Sequence, residues 1–169
     1  LAKDIEDIGA SSLAIKDMAG LLRTRTCYEL VKKLKKNLNI PIHLHTHSTT
    51  GLSDATNFKA YEAGIDNIDT SISSFSNLYA HTATESFISM MYSEEKNPFD
   101  MELLTKISVY FNEVRKKYKK YEGSMRGVDV NMLTNQVPGG MLSILEKQLL
   151  DLNKADKLKL LIDEIPKIC

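Results

Sequence analysis

Apolar residues recur along the first hundred positions in two alternating rhythms. In "LAKDIEDIGA" (1–10), Ile5 and Ile8 share one helical face and Gly9 offers a stop, so the stretch reads as the last part of a helix. "SSLAIKD" (11–17) predicts a short buried strand. "TCYELVKKLKKNL" (26–38) sets Leu30, Val31, Leu34 and Leu38 at helical spacing, with lysines on the other side. "IPIHLHTH" (40–47) predicts a second strand. "SDATNFKAYEAG" (53–64) predicts a helix with Ser53 or Asp54 as N-cap and Gly64 as stop. "IDNIDTSIS" (65–73) is the third expected strand, and "HTATESFISMMY" (81–92) a further helix.

After Pro98 only the helical rhythm persists. Residues 99–123 predict one long helix with Leu103, Leu104, Ile107, Phe111 and Val114 on its buried side. Two more helices follow, over "VPGGMLSILEKQLLDL" and "KADKLKLLIDEI". The expected organisation is therefore a strand–helix part over 1–97 and a helical segment over 98–169, truncated at its end and packed across the mouth of the first part.

Alternating strands and helices are the grammar of a parallel sheet with crossover helices. Three such units fit a doubly wound sheet or part of a (β/α)8 barrel. No glycine-rich phosphate loop follows a strand, which weakens the nucleotide-binding version. The polar candidates, Lys16 and Asp17, His45 and His47, and Asp69, Thr70 and Ser71, all fall where their strands end. Barrels build active sites at that rim, and the α/β reading is accordingly a partial (β/α)8 barrel.

Charge alters this picture little. Lys+Arg and Asp+Glu both total 22, so nothing in the balance argues for nucleic acid or an anionic membrane. The basic run "VRKKYKKYEG" (114–123) reads as the wet side of an amphipathic helix. Two cysteines, Cys27 and Cys169, make no disulfide framework, and no signal or spanning segment is evident. A cytoplasmic protein is the expectation. Leu1 in place of methionine and the abrupt end at Cys169 lead us to expect a piece of a longer polypeptide.

The chemistry concentrates in three stretches. Side chains alternate across a strand, so His43, His45 and His47 share one face. Two histidines at that spacing near a strand end can present both imidazoles to one metal ion, or each can be satisfied by a carbonyl or hydroxyl. In "IKDMAG" (15–20), a lysine ending a buried strand must be paired, modified or neutral. Lys16 fits an ion pair with Asp17 or Asp69, or a carbamate that makes it an oxygen ligand; Asp17 suits a structural role in the loop. In "QVPGGMLSIL" (136–145), Pro138, Gly139 and Gly140 form either a plain helix-opening turn or a corner where a helix start approaches a ligand.

Taken together, "IKDMAGLL", "HLHTHSTTGL", "EAGIDNIDTSIS", "ATES" and "VPGGMLS" resemble the carboxyltransferase domain of biotin-dependent pyruvate enzymes. That family includes pyruvate carboxylase, transcarboxylase and the oxaloacetate decarboxylase alpha subunit, and the similarity runs along nearly the whole chain. The resemblance implies a (β/α)8 barrel with a helical funnel, of which this chain would carry the last three strands and part of the funnel. It implies metal ligation by Lys16, as its carbamate, with His45 and His47. The cation would be zinc, with manganese or cobalt also acceptable. His43 would be structural.

By the same resemblance, Ser143 stands where the family usually has a threonine, whose hydroxyl shuttles a proton between the substrate methyl group and biotin. Oxaloacetate decarboxylation would leave a pyruvate enolate, reprotonated through Ser143, with the carboxyl group passing to biotin; carboxylation of pyruvate is the reverse. Biotin would arrive on a separate carrier domain or subunit, since no Met-Lys-Met attachment site is present. Partners would include a biotin carboxylase subunit or membrane decarboxylase subunits, and the full-length protein would be a homo-oligomer.

Some positions depart from the family pattern. "SFSNLYAHTATES" (74–86) replaces a Gly-Thr-Ser-Gln-Pro-like loop, and its His81 reads as a solvated loop histidine or a further ligand. "SIL" replaces "SNL", with Ile144 lacking the usual amide. A first-strand aspartate ligand, and the arginine and glutamine that help bind the keto acid, have no counterpart here. Alternatives are a metal-dependent aldolase or Claisen-type lyase or synthase of the same barrel superfamily, or a truncated piece inactive by itself.

Overall fold

The computed structural model describes residues 1–123, 125–135 and 139–168; the side chains of residues 134, 135, 139, 140, 142, 143 and 166–168 are outside that description. Three strands, β1 (Leu13–Asp17), β2 (Ile42–Thr46) and β3 (Asn67–Ile68), form a parallel sheet in the order β1-β2-β3. A short helix α1 (Ala2–Asp7) precedes them. Helices α2 (Thr24–Asn37) and α3 (Ser53–Ala63) make the two crossovers, as parallel neighbours require.

The pleat sorts the residues into two faces. Ile15, Leu44 and Ile68 pack with Cys27 and Val31 of α2 and Ala60 and Ala63 of α3 into the main core. The opposite face carries Ala14, Lys16, His43 and His45, and no helix among the described residues covers it. Leu44 and Ile42 are fully buried, whereas Ala14 and Lys16 are exposed. One face of this sheet is the core, and the other is left open among the described residues.

Several boundaries differ from the expected ones. The third strand was expected over 65–73, but the ladder holds only Asn67 and Ile68. From Asp69 on, backbone partners change: Ser71 N–H donates to Thr82 O (3.0 Å) and Thr84 N–H to Ser71 O (2.8 Å). Residues 81–83 are thereby drawn into extended backbone, so α4 runs Thr84–Met91 and begins after His81. Helix α3 is capped neither by Ser53 nor by Asp54. Leu52 is its N-cap, and the buried Ser53 hydroxyl bonds to Ser48 (2.7 Å) and Thr82 (3.2 Å) instead. Gly64 does end the helix, at φ 87°.

The long helix, α5, spans Met101–Lys117 rather than 99–123, with Asp100 capping Leu103 N–H at 2.9 Å. Leu103, expected inside, is 52% exposed, because α5 meets the rest of the chain mainly further along. There Ser108 bonds Ser73 (2.6 Å), Phe111 stacks edge-on to Phe75 (5.8 Å) and Arg115 donates to Ser74 O (2.7 Å). Helices α6 (Met132–Asn135), α7 (Gly139–Asp151) and α8 (Leu158–Ile168) follow.

This helical part rests on the loops that leave the C-terminal ends of the strands. Asp129 N–H donates to Thr49 O (2.8 Å), and Met132 buries itself against Ala19, with Leu21 and Ile165 alongside. Two glycines allow the close approaches. Gly20, at φ 68°, lies where a Cβ would meet His47 O at 2.5 Å, and a Cβ on Gly51 would meet Val128 at 2.9 Å.

Candidate metal centre

Alternation along β2 aims His43, His45 and, just past the strand, His47 away from the helices. Each imidazole is then held from behind. His43 Nε2 and His45 Nδ1 donate to the two oxygens of Asp69, both at 2.6 Å. His47 Nδ1 donates to Tyr79 O at 2.6 Å, and His81 Nδ1 to Thr46 O at 2.8 Å. Ionised carboxylates and carbonyls only accept, so these bonds place the ring proton on Nδ1 of His45, His47 and His81. In their neutral forms the lone pair of all three is on Nε2.

The Nε2 atoms of His45 and His47 stand 3.2 Å apart. With both protons committed elsewhere, this is a meeting of two lone pairs rather than a hydrogen bond. Two imidazole nitrogens bound to a tetrahedral zinc at its ordinary bond length lie roughly 3.3–3.4 Å apart. The pair therefore fits a shared cation, which would replace a repulsion by two coordinate bonds. One ring nitrogen from each of His45, His47 and His81 can be chosen so that all three lie within 4.8 Å of one another.

Protonation states agree with a ligand role. Burial pushes the His47 imidazole below the usual histidine range; the Tyr79 carbonyl opposes this, and the neighbouring His81 and His45 add to it. A neutral imidazole is the ligating form. Burial works to raise the Asp69 carboxyl, but the hydrogen bonds from His45 and His43 outweigh it and hold the group below the ordinary range.

Lys16 is the Cα register partner of His45 on the adjacent strand, so its side chain leaves from the same face. Among the described residues no layer covers that face of β1, and Lys16 is exposed there. Among the described residues, neither acid considered as its partner pairs with it. Asp17 accepts from Leu21 N–H (2.9 Å), Leu22 N–H (2.8 Å) and the Thr46 hydroxyl (2.9 Å), and Asp69 serves the histidines. Asp17 thus ties the β1 loop to β2. Ser143 falls within α7, but its side chain lies outside the described residues.

Sequence reasoning left His81 as a solvated loop histidine or a further ligand. It is half-buried, with its ring centroid 4.4 Å from that of His45 and 4.6 Å from that of His47. Its position depends on the backbone pairing of Ser71 with Thr82 and Thr84, for which the local pattern gave no signal.

The model of the HMGL-like family matches residues 1–111. The chain belongs to the HMGL-like family. It is 42% identical over 170 residues to the B subunit of the pyruvate carboxylase of Methanocaldococcus jannaschii, covering 99% of this chain and 30% of that protein. Identity to the methylmalonyl-CoA carboxyltransferase 5S subunit of Propionibacterium freudenreichii is 40% over 171 residues, covering 99% of this chain and 34% of that one. The carboxyl transferase domain of Rhizobium etli pyruvate carboxylase, solved with pyruvate, superposes with a TM-score of 0.90 at 30% identity, over 97% of this chain and 28% of that chain. The fold is that of a carboxyltransferase barrel, of which the chain spans about a third of the relatives' length or less. Among the described residues, no helix is long and apolar enough to cross a membrane.

Proposed function

We propose that this chain forms the metal-bearing rim of a biotin-dependent carboxyltransferase, which moves a carboxyl group between a small keto acid, oxaloacetate or pyruvate, and biotin. The observation that carries the reading is the approach of the His45 and His47 Nε2 atoms to 3.2 Å, beside Lys16. The named activities of the HMGL-like relatives support the reaction class.

His45 and His47 would hold a divalent cation, with Lys16, as its carbamate, supplying an oxygen ligand; zinc suits the donor set. Bound there, the cation supplies Lewis-acid polarisation of the keto-acid oxygen. Asp69 orients His45 and fixes its tautomer. The Tyr79 carbonyl does the same for His47. The Ser143 hydroxyl moves a proton between the keto-acid methyl carbon and biotin, which a separate carrier domain or subunit presents.

The test is metal content and carboxyl transfer in the full-length natural polypeptide, wild type against the His45→Ala, His47→Ala double variant. We expect the wild type to decarboxylate oxaloacetate in a biotin-dependent way, and the double variant to lose both metal and reaction. A double variant that keeps its metal and rate refutes the reading. Metal-dependent cleavage without dependence on biotin would assign a lyase of the same family instead.

A further inference from the structure

We propose that the cavity between the loop 75–80 and the segment 115–126 binds a small aromatic carboxylate, and that its occupancy is felt at His47. The cavity holds about 310 Å³, at the lower end of the size of small-molecule sites, and no histidine lines it. Its charged lining is two guanidiniums, Arg115 and Arg126, against one carboxylate, Glu122. The hydrogen bond from Arg115 leads in holding the Glu122 carboxyl below its usual range, with burial opposing and the charges of Arg126 and Lys119 adding to it. One positive charge in excess suits a monoanion. Arg115 spends Nε on Glu122 and Nη1 on Ser74 O, both at 2.7 Å, and Arg126 spends Nη1 on the carbonyls of Gly123 (2.8 Å) and Met125 (3.0 Å). Among the described residues Nη2 of each bonds to nothing, and a planar guanidinium is built to take a carboxylate. Tyr118 and Tyr121, 56% and 68% exposed, offer ring faces for a flat apolar body in the same cavity.

The loop that walls the cavity also supports the end of β2. Three successive loop carbonyls accept from three successive residues beyond that strand: Leu78 O from the Thr49 hydroxyl (3.2 Å), Tyr79 O from His47 Nδ1 (2.6 Å) and Ala80 O from Ser48 N–H (2.8 Å). Asn77 and Leu78 sit at φ 64° and 53°, a region that side-chain-bearing residues enter at a cost, so the turn has little freedom to deform. Across the cavity Gly123 lets the walls meet, since a Cβ there would lie 2.7 Å from the Tyr79 ring. A ligand that shifts or stiffens residues 77–80 therefore changes how His47 is held. Binding stands by itself, whereas this link rests on the metal centre proposed above.

The experiment uses the full-length natural polypeptide with benzoate as probe, and acetate and benzamide to separate charge from ring. In a saturation-transfer NMR titration of metal-free protein, benzoate should bind with a Kd of about 1 mM or tighter. Acetate and benzamide should bind roughly tenfold more weakly, as should benzoate to Arg126→Met, whose fold circular dichroism checks. The His45→Ala, His47→Ala protein should bind benzoate as wild type does. With zinc present, saturating benzoate should change zinc affinity at least fivefold in chelator competition, and leave it unchanged in Arg126→Met. Wild type that does not bind benzoate, or binds benzamide equally well, overturns the site whether or not the variant folds. So does binding that survives in folded Arg126→Met, or that disappears with the two histidines and so belongs to the metal centre. Binding with no change in zinc affinity overturns the link to His47. A wild type that takes benzoate but no zinc sinks the proposed function, and the link with it, while the site stands.

Discussion

Lys16 and His45 are register partners on adjacent parallel strands and leave the sheet from the same uncovered face. Neighbouring strands lie about 4.8 Å apart, so an oxygen carried at the end of the lysine chain can reach an ion seated on His45. Among the described residues neither nearby acid bonds the amine, which leaves it available to carbon dioxide. We expect the Lys16→Ala full-length protein to lose metal affinity at least tenfold, and to regain part of it when a short carboxylate such as formate is supplied. Intact-mass analysis under bicarbonate should find one carbon dioxide added in the wild type and none in the variant. An unmodified wild-type lysine with full metal occupancy would remove Lys16 from the ligand set.

Asp69 accepts from two histidines at once, and only one of them faces the proposed ion. Asp69→Asn keeps the shape but offers a single acceptor oxygen, so one imidazole loses its partner. If it is His45, the ring is no longer held in the tautomer that ligates. Metal affinity should then fall roughly 10–100-fold, the usual cost of removing a partner behind a ligand. Chelator competition measures it, and circular dichroism checks the fold. Unchanged affinity would reduce Asp69 to a packing role.

Asp17 satisfies two backbone amides and the buried Thr46 hydroxyl. Asp17→Ala leaves all three donors without an acceptor and should cost about 2–4 kcal/mol in urea unfolding, given the usual cost of stranding half-buried donors. Asp17→Asn, which keeps one acceptor, should cost less. Equal losses in the two variants would mean that charge, rather than hydrogen-bond count, is what the loop needs.

Acid should loosen the start of β2 through Asp66. The Lys35 ammonium, bonded at 2.7 Å, and Ile42 N–H, also at 2.7 Å, hold the Asp66 carboxyl below its ordinary value of 3.8. A carboxyl with a depressed folded-state pKa favours folding fully above its unfolded value. That contribution is lost as pH falls from 3.8 through the lower folded value. Lys35 and Asp66 are both about one-third exposed, which screens the effect. The Asp66→Asn protein should therefore be slightly less stable than wild type at neutral pH and match it at the acid end of that window. A constant difference across pH would contradict the assignment.

Much of this molecule could be read from residue order alone. The strand–helix alternation and the alternation that aims His43, His45 and His47 to one side both follow from periodicity. What escaped were features decided by backbone partners distant in sequence. The third strand is cut short because Ser71 pairs with Thr82 and Thr84, and the α3 cap fails because Ser53 is claimed by Ser48 and Thr82. His81 belongs to the same class, since its position is set by residue 71 and by the carbonyl of residue 46.

The peptide just beyond the histidine strand is packed with hydroxyls where a hydrophobic scale would expect a wet loop. Thr46, Ser48, Thr49, Thr50, Ser53, Thr56 and Thr82 are all buried. Oily contacts tolerate sliding, whereas each of these groups holds its neighbour at a set distance and direction. A replacement such as valine for threonine would fill the same space and still let the strand end drift, so the price of greasing this region is paid in the aim of the imidazoles before it shows in melting temperature.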